Sequence, residues 1–331
     1  MRTDLSHRQG PVVTRSPLHR HVISGPSMGT RYAAVFYARV PSDQSDLRQA
    51  LEAAVDAVDA QMSTWKPDSA LMQLNRAPTN IWFAVPEQLF TVLDAALEIG
   101  RLSDGAFDIG VGDLVSAWGF GSSDAAPDQA GIAAARRRPR LPAHLCLDLD
   151  AGRYQVRKHT EVTLDLSGIA KGFGVDELAR VLAANGIVHF LVSIDGELRA
   201  SGGKPDGTPW RVAVEKPKTG RREAEGVLEL SDGAVATSGN YRHFVDIGGT
   251  RYAHTMDPRL RAPLAARPAA VTVLARTCMA ADAWATALLV LGPTDGAEIA
   301  SRHGLEALFI ERRRLSPGNT TTRQPRFTKE D

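Results

Sequence analysis

"HFLVSIDGELRASG", His189 to Gly202, is the stretch whose reading decides the fold. Apolar and polar residues alternate along "HFLVSI" and again along "ELRASG", the period-2 pattern of short strands. The pattern persists to Thr255 through "WRVAVE", "GVLEL", "AVATS", "HFVDI" and "RYAHT", and "PAAVTVLA" adds one more strand. Helical spacing belongs to other parts of the chain. Leu47, Leu51, Val55, Val58 and Met62 recur at three- to four-residue steps and predict a helix from about Ser45 to Ala60. A second helix is expected from Pro86, suited to a first turn, to near Gly100, and a third from Ala170 to Ala184, stopped by Asn185-Gly186. "AHLCLDLD", "RYQVRK" and "EVTLDLS" read as three short strands; "RYAAVFYARV" reads as a strand joined through "SGPSMGT" to a short one before it. Hairpins with segregated helices make an α+β class rather than a doubly wound parallel sheet.

The 331 residues are 43% hydrophobic and 23% charged, enough to bury a large core as one domain or two lobes. Thirty-nine basic against 38 acidic residues leave no electrostatic footprint for nucleic acid or an anionic membrane. The basic cluster Arg136-Arg137-Arg138 with Arg140 follows a helical pattern from Pro127 and is expected to be a solvated helix end. Cys146 and Cys278 have no metal-binding or C-x-x-C spacing and are expected to be buried, reduced thiols. No run is long and apolar enough to span a membrane, and the N-terminus shows no secretory h-region, so a cytoplasmic protein is expected. Residues 1 to about 20 and the basic tail from Arg312 are polar and Pro-containing; they are expected to be disordered, leaving 21–311 as the body.

"GPSMG", Gly25 to Gly29, matches G-x-S-x-G, but a strand rather than a helix follows it, which argues against Ser27 as a nucleophile. "GIAKGFGVD", Gly168 to Asp176, has neither dinucleotide nor Walker spacing; it is either a helix start offering N–H groups to phosphate or a turn whose glycines serve packing. "DGAFDIGVGDLVSAWGFG", Asp104 to Gly121, sets glycines beside Phe107, Trp118 and Phe120, either a planar-ring site or core. His254, before Asp257-Pro258, is structural or an acid/base group. "TCMAADAWATALLVLGP", Thr277 to Pro293, reads as an apolar helix from Ala280 to Leu291 with Asp282 in its first turn and Thr286 four residues on, on the same face. The pair either serves the helix itself or supplies hard oxygen ligands for Mg²⁺.

Five stretches in order, "SMGTRY", "MSTWKPDSALMQLN", "DGAFDIGVGDLVSAWGFG", "LDLSGIAKGFGVDELARVL" and the block from "ATSGNYRHF" through "HTMDP" to "AADAWATALLVLGP", resemble one family. It is the FAD:protein FMN transferases, the ApbE or thiamine biosynthesis lipoprotein family, and the resemblance spans Gly25 to Ile310. It implies a two-lobed fold with mixed, largely antiparallel sheets and flanking helices, FAD between the lobes and Mg²⁺ on its pyrophosphate. Carried over by residue, Met28, Trp65, Ala106, Phe107, Asp108, Asp165, Lys171 and Met256 should contact FAD. Gly168, through its carbonyl, with Asp282 and Thr286 should hold the metal. Ala285 stands where some relatives have a further Asp, Asp195-Gly196 where many have Gly-Gly, and Leu260-Arg261 where many end a turn with Thr-Gly. The lipoprotein signal and lipid-bearing Cys of many relatives are absent from the sequence.

The chemistry implied is attack by a Thr or Ser hydroxyl of a target protein on the FMN-side phosphorus of FAD, with release of AMP. His254 is the candidate base. Two competing functions use the same site: hydrolysis of FAD to FMN and AMP, and flavin binding without catalysis.

Overall fold

A computed structural model of the chain describes residues 17–39, 44–121, 127–217, 223–240, 244–247, 250–265 and 269–311. It opens with the hairpin β1 (His19–Ser27) and β2 (Thr30–Ala38), then α1 (Ser45–Met62) and α2 (Ala70–Arg76). After β3 (Trp82–Ala84) come α3 (Glu87–Leu102), α4 (Gly112–Ala117), α5 (Gln129–Arg137), α6 (Ala143–Cys146), β4 (Leu147–Asp150) and β5 (Gln155–Lys158). Helix α7 (Ala170–Ala184) leads into β6 (His189–Ile194), β7 (Glu197–Ser201), β8 (Trp210–Glu215), β9 (Ala224–Leu230) and β10 (Gly233–Gly239). The chain continues through β11 (Phe244–Ile247), β12 (Thr250–Asp257), β13 (Ala262–Ala265), β14 (Ala269–Ala275), α8 (Cys278–Arg302) and β15 (Glu306–Glu311).

The alternation read from the sequence produces a seven-stranded sheet ordered β1-β2-β6-β7-β10-β14-β15, antiparallel at every pairing. On β2, Tyr32, Ala34 and Phe36 point into a core shared with α1 and α7, while Val35 and Tyr37 face the β8–β9 hairpin. On β14, Val271 and Val273 pack in the largest core, where α8 lies, while Leu274 faces the hairpin side. Period-2 patterning therefore buries both faces, one under helices and one under a hairpin. The α+β class holds, with helices flanking antiparallel sheets.

Helices α7 and α8 cross at Gly172, where a Cβ would lie 2.4 Å from the Cys278 carbonyl oxygen and 2.8 Å from Asp282 Cβ. Both helices then cap each other. Asp176 of α7 accepts the N–H groups of Cys278 and Met279 at 3.0 and 2.9 Å, and Asp282 of α8 accepts that of Gly172 at 3.0 Å. Gly172→Ala is expected to lower stability by about 1–3 kcal/mol, since backbone blocks the methyl. Thermal unfolding measures this; an unchanged Tm would mean that the two helices part without cost.

Several local expectations are corrected. "EVTLDLS" is not a strand: the Asn75 side chain takes both the N–H and the carbonyl of Leu164, at 2.8 and 3.0 Å, and Gly112 N–H takes the Thr163 carbonyl. A side chain stands in for a neighbouring strand there. In "AHLCLDLD" the first four residues form α6 and only Leu147–Asp150 is strand. Pro86 is the residue before α3 rather than its first turn, and α8 starts at Cys278, two residues before the expected Ala280, so Asp282 falls in the second turn rather than the first. β1 begins at His19, inside the segment expected to be disordered. Arg140 is no solvated helix end: its side chain is only 10% exposed, pairs with Asp113 at 2.5 Å and donates to the Gly110 carbonyl. The tail from 312 and residues 1–16, on which the expected compartment rests, lie outside the described residues. No helix among the described residues is long and apolar enough to cross a membrane.

Candidate active site

A cavity of about 870 Å³ opens between the seven-stranded sheet with its helices and the β12 region. Met28, Trp65, Ala106, Phe107, Asp108, Asp165, Gly168, Lys171, His254, Met256, Asp282 and Thr286 all line it. Every residue to which the family resemblance gave a site role, and the candidate base His254, are thus brought to one place.

Met28 arrives on the two-residue β1–β2 turn, where Met28 and Gly29 both take left-handed backbone at φ 48° and 73°. Trp65 stands 61% exposed at the rim, a free aromatic face. The aromatics of 104–121 divide: Phe107 lines the cavity, whereas Trp118 and Phe120 pack with Met256 and Tyr252 in a separate small core. Asp108 is partly buried, which raises its pKa, while N–H groups of Gly110 and Ala143 at 2.8 and 3.0 Å pull the other way. Its carboxylate therefore also ties the start of α6 to this loop. Asp165 Oδ1 accepts from Ser167 N–H at 2.8 Å and shapes the turn into Gly168. At Gly168 a Cβ would sit 3.2 Å from the Phe107 ring and 3.3 Å from Thr286 Oγ1, so backbone approaches both closely.

Of the two readings of "GIAKGFGVD", packing accounts for Gly172 and Gly174; a Cβ on the latter would meet Ile194 at 2.9 Å. The N–H of Ala170 donates to Leu166 and that of Gly172 to Asp282, so these donors at the α7 start are already used. Lys171 supplies the positive charge instead. Its ammonium donates to Glu197 at 2.8 Å and lies 3.6 Å from Asp195, which occupies the β6–β7 turn at φ 52°. Burial works against the lysine's charge, but Glu197, Asp282 and Asp195 outweigh it and hold the pKa above the usual lysine range. Asp282 is pushed up to about 7, first by burial and then by Glu197, with Lys171 and the Gly172 N–H opposing. Three carboxylates facing one ammonium leave this corner two negative charges in excess when all are ionised.

Thr286 Oγ1 lies 2.9 Å from Ser238 Oγ on β10. Ala285 is buried in the apolar core and adds no oxygen to the cavity. Ser238 and Glu197 were not among the residues expected at the site. Ser238 falls within the "ATSGNYRHF" stretch, and Glu197 opens a strand straight after Asp195-Gly196, but nothing local marks either as facing a cavity. His254 is on β12 toward the cavity mouth, edge-on to Phe120 with ring centroids 6.5 Å apart. The turn after it survives without the glycine: Arg261 takes φ 53° itself, and Asp257 Oδ1 accepts the N–H groups of Arg259 and Leu260. Ser27 is buried beside the β1–β2 turn and is not among the residues lining the cavity.

A profile of the ApbE family matches residues 28–309, the same span that carries these residues. The chain belongs to the ApbE family. Among its relatives, the FAD:protein FMN transferase of Vibrio cholerae is 38% identical over 299 residues, 89% of this chain and 88% of that protein. The FAD:protein FMN transferase of Escherichia coli K12 is 34% identical, covering 87% and 83%. Among solved ApbE structures, the flavin transferase from Vibrio cholerae superposes with a TM-score of 0.79 at 36% identity, over 90% of this chain and 95% of that one. The apo flavinyl transferase ApbE from Pseudomonas stutzeri gives 0.78 at 34% identity, over 90% and 93%. The ApbE fold and the cavity thus coincide in one region of the chain.

Proposed function

We propose that the chain is an FAD:protein FMN transferase acting in this cavity, within one domain at 21–311. The observation that carries this reading is the convergence of a ring-sized wall, a charged corner and an exposed histidine in one cavity of an ApbE-family chain. Met28, Trp65, Ala106, Phe107, Asp108, Asp165 and Met256 form the flavin nucleotide side. Lys171 faces the pyrophosphate.

Asp282, Thr286 and the Gly168 carbonyl are the groups that would hold Mg²⁺. They are hard oxygen donors, and the surplus negative charge beside Lys171 suits a divalent cation. Among the described residues no three His, Cys, Asp or Glu side chains are grouped for a metal, so this protein shell is partial and needs nucleotide and water to complete it. When bound, Mg²⁺ supplies charge neutralisation on the pyrophosphate oxygens.

The acceptor hydroxyl, from a Thr or Ser of the target protein, forms a bond to the FMN-side phosphorus as the bond to the AMP oxygen breaks. His254 takes the hydroxyl proton, an exposed imidazole reachable from the direction a protein substrate must approach. AMP leaves, and FMN stays on the acceptor as a phosphoester.

Incubation with FAD and Mg²⁺, with and without a flavin-acceptor domain, tests the reading. In-gel flavin fluorescence on the acceptor is expected. AMP release that is indifferent to the acceptor would make the protein an FAD hydrolase instead, and neither product would make it a flavin-binding protein. The cavity joins a ring wall to a charged corner, so FAD is expected to bind more tightly than FMN. Equal affinities in a fluorescence titration would remove the adenylate half of the site.

A further inference from the structure

Glu197 is 3% exposed, and only one of its carboxylate oxygens is accounted for. Oε1 accepts from Lys171 at 2.8 Å; Oε2 is buried with no hydrogen-bond partner. A buried carboxylate oxygen without a donor is costly, and native proteins keep few of them. Its place is set rigidly, because Glu197 pairs with Ile194 across the β6–β7 turn while the next residue, Leu198, pairs with Val235 of β10. Burial and the Lys171 bond then keep the carboxylate in this corner. Its surroundings demand a donor and reject another acceptor: Asp195 and Asp282 are the neighbouring acids, and Lys171 is already shared among all three.

We propose that Glu197 Oε2 accepts a hydrogen bond from a water on the divalent cation held by Asp282 and Thr286. This rests on the Mg²⁺ and FAD reading above. Mg²⁺ keeps several of its waters in such partial shells, and a metal-bound water is a strengthened donor. A carboxylate outside the ligand set fixes that water and, through it, the cation's position. The orphan oxygen is thus a positioning group that is satisfied only in the loaded enzyme.

Glu197→Gln tests the idea with full-length protein. The amide oxygen still accepts from Lys171, while the orphan position gains an N–H₂ that confronts a water's hydrogens. Mg²⁺ affinity measured by titration in the presence of FAD is expected to fall about 10- to 100-fold. FAD affinity without Mg²⁺ should stay within a few-fold of wild type, and thermal unfolding should show the metal-free variant still folded. Glu197→Asp, which keeps the charge one methylene short, should retain more Mg²⁺ affinity than Glu197→Gln; a purely structural role predicts the reverse order, because Gln keeps the shape.

A folded Glu197→Gln with wild-type Mg²⁺ affinity would overturn the proposal. So would a matching loss of FAD affinity without metal, which would put the oxygen on the nucleotide. Wild-type protein that fails to bind Mg²⁺ with FAD present would instead remove the underlying metal reading, so the two failures are separable.

Discussion

Asp282→Asn is expected to cut FMN transfer at least about a hundredfold and to abolish its dependence on divalent metal, while the protein stays folded. The asparagine keeps an oxygen for the Gly172 N–H, the bond that ties α8 to α7 at 3.0 Å, and removes only the charge. Asp282→Ala should lose activity equally but also stability, because it leaves that buried N–H without a partner at a cost of about 1–3 kcal/mol. An acid that served only the helix dipole would give about 0.3 to 1 kcal/mol of destabilisation with transfer kept. Burial already disfavours that explanation, since the carboxyl is pushed up to about 7, hardly an arrangement that stabilises a charge at a helix end. Metal-responsive turnover in Asp282→Asn would sink the ligand assignment.

The same carboxyl makes stability depend on pH in a defined direction. Its ordinary value of 3.8 is raised to about 7 in the folded protein, so the metal-free fold binds a proton that the unfolded chain has already lost. The associated stabilisation is fully present below about pH 4 and is lost as pH rises toward about 7. Mg²⁺ competes for the deprotonated form, so its affinity should climb with pH and level off above about 7. Both slopes, read from Tm and Mg²⁺ titrations between pH 5 and 8, should disappear in Asp282→Asn.

His254→Ala is expected to bind FAD as the wild type does yet lose about 10²- to 10⁴-fold in transfer. A base acts on the proton in the transition state, so its removal lowers kcat and leaves ground-state binding alone. The side chain is exposed, with the Phe120 ring edge-on at 6.5 Å, so truncation should leave the fold intact. Transfer within a few-fold of wild type would move the base to another group, and loss of FAD binding would make His254 a nucleotide contact.

Much of this protein is legible from local pattern. Alternation from His189 to Thr255 determined the strand-rich half, three- to four-residue spacing determined α1, and start and stop residues marked α3 and α7, because side-chain direction repeats with a period set by the backbone itself. The pattern failed at "EVTLDLS", where apolar alternation is real but the hydrogen-bonding partner is Asn75, 89 residues away. The ordered motifs named the family and all of the expected cavity residues, since family resemblance carries tertiary information that periodicity does not. Tertiary structure alone decided what those residues do to one another. Gly172 is a glycine because of a carbonyl on α8, and the Asp282 carboxyl is pushed up because burial and Glu197 surround it. The orphan oxygen of Glu197 exists only because a lysine 26 residues earlier takes its twin. Charge, burial and hydrogen-bond satisfaction depend on which atoms meet in space, and no local period in the chain encodes that meeting.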